Sequence, residues 1–264
     1  MRNSRRSALR AALLTAAVGV VVVAATQPFA AAGSTAAAPT PGAATVDVVG
    51  FGDSVPLGKH CGGCGDLFTL YAKRITPAGQ TPTVVNLAKG NTTSKDALKT
   101  LKKSSSEAAV KKATTVLIYT GADDFKNAFT AVSHGGSAKK HYKPVEKSVE
   151  ANVESMIGLI HSLNPAAHVA VLDYWAAMED GKVAKHDYTK AELKAGTEAT
   201  DYLNKGLAAA AKHSHATYVS TYTLFKGKHG DKDPTKYLAD DGNHPNAAGM
   251  KAITAALVAA LPAA

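Results

Sequence analysis

Cysteine, tryptophan and aromatic side chains are scarce in this chain. Of 264 residues, two are cysteine, one is tryptophan and 6% are aromatic. Two thiols alone cannot close a zinc site, which takes about four ligands. No arginine-rich patch is interleaved with aromatics, so nucleic acid is not an expected partner. The ten histidines are dispersed, and read as structural or solvated side chains rather than as a metal cluster. No internal repeat divides the sequence. The apolar stretch from Ala11 to Ala25 falls short of the roughly 20 residues that a membrane-spanning helix needs, so no stable membrane anchor is expected.

Core-forming residues are plentiful, at 45% hydrophobic content. Residues 46–264 suffice for one domain of about 220 residues with a full core. Ahead of them, residues 1–32 read as an export signal. Arg2, Arg5, Arg6 and Arg10 precede the apolar stretch, and Ala30-Ala31-Ala32 follows it. Ser4-Arg5-Arg6-Ser7-Ala8 is similar to a twin-arginine export motif, with Ala8 where that motif carries an aromatic, so general secretion is the other route. Residues 33–45 lack periodicity and large apolar side chains, and read as a disordered linker. The formal charge of +9 drops once the four leader arginines are set aside, leaving 26 basic against 21 acidic residues. That excess is mostly lysine on helical faces, which favours solubility. In an exported chain, Cys61 and Cys64 read as a short structural disulfide, with a redox pair as the alternative.

Five short apolar runs alternate with longer helical patterns: Val46 to Phe51, Thr83 to Ala88, Thr115 to Thr120, His168 to Tyr174 and Ala216 to Thr221. Nearly continuous apolar runs are expected of parallel strands covered on both faces. Between them, Asp66 to Ile75 carries Leu67, Leu70, Tyr71 and Arg74 at helical spacing. Val145 to Leu163 carries Val149, Val153, Met156, Ile157 and Ile160 on one stripe. Thr189 to Lys212, with Leu193, Leu203 and Leu207, and a last helix that starts after His244-Pro245 and runs to about Leu261 complete the set. The fold class is α/β, a three-layer α/β/α sandwich.

In such a sheet, ligands gather at the carboxyl ends of the strands. Four segments fall there. Gly52-Asp53-Ser54 follows the first run, where Ser54 is either a reactive hydroxyl or an ordinary helix cap. Gly90 follows the second, and Gly121-Ala122-Asp123-Asp124 the third. Near the C-terminus, Asp241-Gly242-Asn243-His244-Pro245 leads into the last helix. Pro245, suited to a first helical position, keeps His244 in the loop. The Asp241 carboxylate can fold back onto His244 Nδ1, leaving Nε2 free to take a proton from a hydroxyl. A hydroxyl, an imidazole, an orienting carboxylate and backbone donors are the components of acyl transfer.

These segments resemble the blocks of the GDSL, or SGNH, family of serine esterases and lipases, specifically its secreted bacterial members, over about residues 46–260. The resemblance implies a flavodoxin-like sheet of five parallel strands, with Ser54 as nucleophile and Asp241 and His244 as its partners. It also implies an oxyanion hole built from the N–H groups of Ser54 and Gly90 and a third-block side chain. That third member is asparagine in the family and Asp123 here. A carboxylate beside a developing oxyanion repels it, and losing one such donor elsewhere costs about 2.7–4 kcal/mol. Asp123 could be protonated, could turn away, or could be replaced by Asn91.

The expected activity is hydrolysis of carboxylic esters with short to medium acyl chains, without metal or organic cofactor. The loops 125–144, 175–188 and 222–239 should wall the pocket, with Phe125, Phe129, Trp175, Met178 and Phe225 as its apolar members. The expected partners are a small-molecule, glycan or lipid ester, and the expected state is a monomer. Removal of acetyl groups from a polysaccharide is the nearest alternative substrate. A binding protein silenced at Asp123 is the alternative from another class.

Overall fold

A computed structural model describes residues 47–261. The expected export signal and the whole of the expected linker lie outside the described residues. Five strands form one parallel sheet in the order β2-β1-β3-β4-β5: β1 (Asp47–Gly52), β2 (Thr83–Asn86), β3 (Thr115–Tyr119), β4 (His168–Leu172) and β5 (Thr217–Val219). This is the flavodoxin-like arrangement implied by the resemblance. The central strand β3 is buried at every position, whereas the edge strand β2 is partly exposed throughout. Central strands of a parallel sheet lie between two helical layers, which explains the unbroken apolar run in β3.

Nine α-helices occur among the described residues: α1 (Leu67–Ile75), α2 (Ser94–Leu101), α3 (Ser104–Val110), α4 (Lys126–Ser133), α5 (Ala138–Leu163), α6 (Gly181–Asp187), α7 (Lys190–His213), α8 (Thr221–Lys226) and α9 (Ala247–Ala260). One layer is built on α1 and α9, which pack together. The other is dominated by α5 and α7, with α2, α3 and α4 against them. The predicted stripe of α5 is fully buried from Val149 to Ile160, and Leu203 and Leu207 of α7 join the same core. Leu193 is only half-buried, and Arg74 is exposed rather than on the inner stripe of α1.

Several helices depart from the sequence reading. α5 begins at Ala138, seven residues before the predicted start, and carries Pro144 inside it. Proline lacks an N–H and normally marks a boundary, but here Ser137 caps the helix and the first two turns precede the buried stripe. α2 and α3 carry too few large apolar residues to announce themselves, yet a capping box from Thr93 and Asp96 starts α2. The fifth run ends at Val219 because Ser220 caps α8, its Oγ accepting the Thr223 N–H at 3.1 Å. The three expected wall loops accordingly contain α4, α6 and α8.

Gly50, in the middle of β1, sets how closely α1 approaches the sheet. A Cβ at this position would lie 2.0 Å from the Phe68 ring, and Phe68 is fully buried. We expect Gly50→Ala to destabilise the fold by about 3 kcal/mol through overpacking. Denaturant unfolding should register this as a lowered midpoint, partly restored by adding Phe68→Leu.

Candidate functional site

β1 and β3 are held together at their carboxyl ends. The Asp53 N–H donates to the Tyr119 carbonyl at 3.1 Å, and at Gly52 a Cβ would stand 2.7 Å from that same oxygen. A side chain cannot be accommodated there, so the tight exit from β1 depends on glycine. Ser54 precedes a single 3-10 turn, Val55–Leu57, but its side chain makes no capping hydrogen bond. Its Oγ instead lies 2.9 Å from His244 Nε2, 190 residues away in sequence. Ser54 thus holds the N-cap position of this turn without capping it through its side chain.

His244 sits in the loop that enters α9, as expected, although Pro245 is not the first helical residue. Asn246 caps α9 by accepting the Gly249 N–H at 3.0 Å. Pro245 instead bridges to Leu238. Asp241 folds back as expected: Oδ2 lies 2.7 Å from His244 Nδ1, while Oδ1 accepts the N–H groups of His244 at 2.9 Å and Asn243 at 3.0 Å. Partial burial pushes the Asp241 carboxyl up, but these donors outweigh it and hold the group below the ordinary aspartate value.

Gly90 stands beside Ser54, since a Cβ on it would be 3.6 Å from Ser54 Cβ. Asp123 and Ser54 line a common cavity. One of its oxygens, Oδ1, pairs with Lys126 Nζ at 2.5 Å, and the other, Oδ2, is buried without a hydrogen-bond partner. Lys126 also donates to Asn91 Oδ1 at 3.3 Å, so both candidate third members of the oxyanion hole meet at one ammonium. The neighbouring Asp124 has a different task. Its carboxylate accepts the Ser94 N–H at 2.7 Å and the Ser94 hydroxyl at 2.8 Å, tying the start of α2 to the end of β3.

The cavity over Ser54 measures about 150 Å³ and is lined by Asp123, Lys126, Tyr174, Ala176, Ala177, Met178, Glu179 and Tyr188, among others. Of the predicted wall residues, Met178 lines it. Phe125, Trp175 and Phe225 are buried in the core instead, with Trp175 stacked on Phe225 at 4.5 Å. Phe129 packs on Tyr188 at 5.8 Å. Burial and the charges of Asp187 and Asp241 push the Glu179 carboxyl up.

Sequence reasoning missed Lys126, Glu179, Tyr174 and His60. A lysine three residues after Asp123 on an incipient helix was the available signal for the first. His60, set aside with the other histidines, lies with its Nδ1 3.1 Å from Asp241 Oδ2 and its ring stacked on His244. Among the described residues, two groups have ligand atoms close enough to share a cation, His60 with Asp241 and His244, and Glu150 with Glu154 and His213. In both, the imidazoles already engage the carboxylates directly.

Residues 51–252 match the GDSL-like lipase/acylhydrolase family. The chain belongs to this family. Members of the GDSL-like family are lipases and acyl hydrolases, which puts the chain among the carboxylic ester hydrolases. A search of curated proteins finds no match.

Solved structures share the fold of this GDSL-like chain at low identity. A lipase from a goat rumen metagenome, Lip_vut3, is 19% identical with a TM-score of 0.63, over 82% of this chain and 97% of its own. An extracellular lipase from Streptomyces rimosus is 22% identical with a TM-score of 0.61, over 82% of this chain and all of its own. A phospholipase A1 from Streptomyces albidoflavus is 20% identical with a TM-score of 0.60, over 83% of this chain and all of its own.

Asp53, directly behind Ser54, is fully buried. Tyr174 Oη donates to its Oδ2, and the Val55 N–H donates to its Oδ1 at 3.0 Å. Burial, opposed by these two donors and assisted by the charges of Asp123 and Asp124, pushes its carboxyl from 3.8 up to about 7. The folded state therefore holds a proton that the unfolded chain has lost between these two values. Its contribution to stability is full below pH 3.8 and is lost as the pH rises to about 7. The difference amounts to about 4 kcal/mol at most. Asp53→Asn should remove this dependence, leaving the variant relatively more stable than wild type at pH 8 than at pH 5. Thermal unfolding of both proteins across that range checks it.

Proposed function

We propose that this protein is a secreted serine esterase acting on small acyl groups. Ser54 attacks the acyl carbonyl while His244 Nε2 takes its proton, and Asp241 fixes the imidazole tautomer and steadies the imidazolium. The N–H groups of Ser54 and Gly90 receive the oxyanion. His244 then returns the proton to the departing alcohol. A water activated by the same imidazole releases the acid from the acyl-enzyme. The scheme calls for no metal or organic cofactor, and the catalytic unit is the monomer. The observation that carries the proposal is the 2.9 Å contact between Ser54 Oγ and His244 Nε2, because nothing in local sequence brings these residues together.

Asp123 takes the third place in the oxyanion hole as a charge-compensated member. Its pairing with Lys126 supports this, since the ammonium offsets the carboxylate that would otherwise repel the developing oxygen. The cavity volume of about 150 Å³, with Met178 and three alanines in its wall, favours short acyl chains. Glu179 and Tyr188 at its edge suit a polar alcohol, and O-acetyl groups on a polysaccharide are the second reading that this small, polar-rimmed cavity supports. Export is supported by the arginine-led apolar stretch at residues 2–25 and by the Cys61–Cys64 disulfide. The extracellular lipase from S. rimosus has the same fold. We assign residues 1–32 to the signal and 33–45 to a linker.

Hydrolysis of p-nitrophenyl esters from acetate to palmitate tests the scheme. Ser54→Ala should abolish turnover, and the rate should fall as the chain lengthens beyond a few carbons. Equal rates for wild type and Ser54→Ala would contradict the mechanism. Lys126→Met should lower kcat/KM by about tenfold by leaving Asp123 uncompensated. The same substitution in an Asp123→Asn background should cost less than about threefold. Equal losses in both backgrounds would contradict the compensating role of Lys126.

A further inference from the structure

The described loop between β1 and α1 carries a histidine and a disulfide that the mechanism above leaves unused. His60 lies against the face of His244, with ring centroids 4.2 Å apart and planes 12° from parallel. Its Nδ1 is 3.1 Å from Asp241 Oδ2, the same oxygen that faces His244 Nδ1 at 2.7 Å. Two imidazoles thus lie flat on one another with corresponding nitrogens turned to a single carboxylate oxygen. The His60 side chain is about half exposed (47%), whereas that of His244 is only 15% exposed. His60 is therefore the cover and His244 the group covered.

The loop that carries His60 is unusually constrained for its composition. Gly58, Gly62, Gly63 and Gly65 all have positive φ, which would make an open segment costly to order. Two features close it. Gly58 and Gly65 touch at its base, where a Cβ on Gly58 would stand 2.1 Å from the Gly65 carbonyl oxygen. Cys61 and Cys64 are joined by a disulfide, with Cys61 buried and adjacent to His60. The Cys61 N–H also donates to the Gly58 carbonyl at 3.3 Å.

We propose that His60 is a positioning residue for the Ser54–His244–Asp241 system, held over it by the Cys61–Cys64 disulfide. The assignment rests on the serine-esterase reading given above. The stack blocks rotation of the His244 ring toward the loop side, and the His60 ring edge, 3.1 Å from Asp241 Oδ2, limits movement of the carboxylate away from His244 Nδ1. Both actions preserve the alignment of Nε2 with Ser54 Oγ, and small misalignments at such a contact lower the rate steeply. His60 is not asked to touch substrate, so its loss should reduce kcat and spare KM.

His60→Ala should lower kcat by about tenfold with KM within about twofold of wild type and an unchanged Tm. A kcat within about twofold of wild type would overturn the proposal. A second readout requires no substrate: the His244 Nδ1 proton, hydrogen-bonded to Asp241, should resonate far downfield of the amides in wild type and in Ser54→Ala, and broaden away in His60→Ala. Equal signals in wild type and His60→Ala, or none in either, would also overturn it. If Ser54→Ala keeps turning over ester, the serine mechanism fails, while the proton signal still decides the position of His60. Dithiothreitol probes the hold on the loop, since each molecule gives two electrons to convert the Cys61–Cys64 disulfide to two thiols and is itself oxidised to a cyclic disulfide. Reduction should bring wild-type kcat down to the His60→Ala level and leave His60→Ala unaffected. Activity in wild type that is indifferent to reduction, with both thiols shown to be free, would overturn the part assigned to the disulfide.

Discussion

Parallel pairing of β1 with β3, in register from Val48↔Thr115 to Gly52↔Tyr119, is the constraint on which the site depends. It brings two carboxyl ends side by side at the point where the strand order reverses between β2-β1 and β3-β4-β5. Loops leaving this point diverge toward opposite helical layers and open a crevice between them. Asp53, Ser54 and Asp123 all emerge within a few residues of those strand ends. The Asp53 N–H extends the pairing one residue beyond the sheet by donating to Tyr119. Had Gly52 carried a side chain, that last hydrogen bond and the turn behind Ser54 would meet a steric clash.

Electrostatics then sort the three carboxylates at this crossing into separate tasks. Asp53 is buried and pushed up to about 7, so it shares its place with Tyr174 at little charge cost near neutral pH. Asp124 is engaged by Ser94 and anchors α2. Asp123 keeps a charged partner, Lys126, at the cavity mouth. On the opposite side Asp241 is held down by N–H donors and faces two imidazoles. Four aspartates within one crevice would repel one another strongly if all were bare. Burial with a donor, a hydroxyl and N–H pair, an ammonium and an imidazole stack are four different ways of relieving that repulsion.

Much of this was legible in the sequence because parallel strands buried on both faces leave continuous apolar runs, and because the residues after them are short-range signals. The five strands, the stripe on α5 and the placement of Ser54, Gly90, Asp123, Asp241 and His244 at one crevice could be read that way. What could not be read depends on long-range packing. α2 and α3 are held by capping and by the Asp124–Ser94 contact rather than by a strong apolar face. Pro144 masked the first two turns of α5. Phe125, Trp175 and Phe225 look like pocket walls by position but are drawn into the core, where burying a large aromatic is worth more than leaving it at a polar rim. His60 resembled any surface histidine until the fold carried Asp241 to it.

The most direct test of the central claim is to map where a fluorophosphonate reacts with the purified protein. Attack on phosphorus requires an activated hydroxyl and an open cavity, but no particular ester, so the result does not depend on guessing the natural substrate. The account predicts a single covalent adduct, on Ser54, that forms in wild type and is lost in His244→Ala. An adduct elsewhere, or a protein that stays unlabelled while correctly folded, would contradict the assignment of Ser54 as an activated nucleophile.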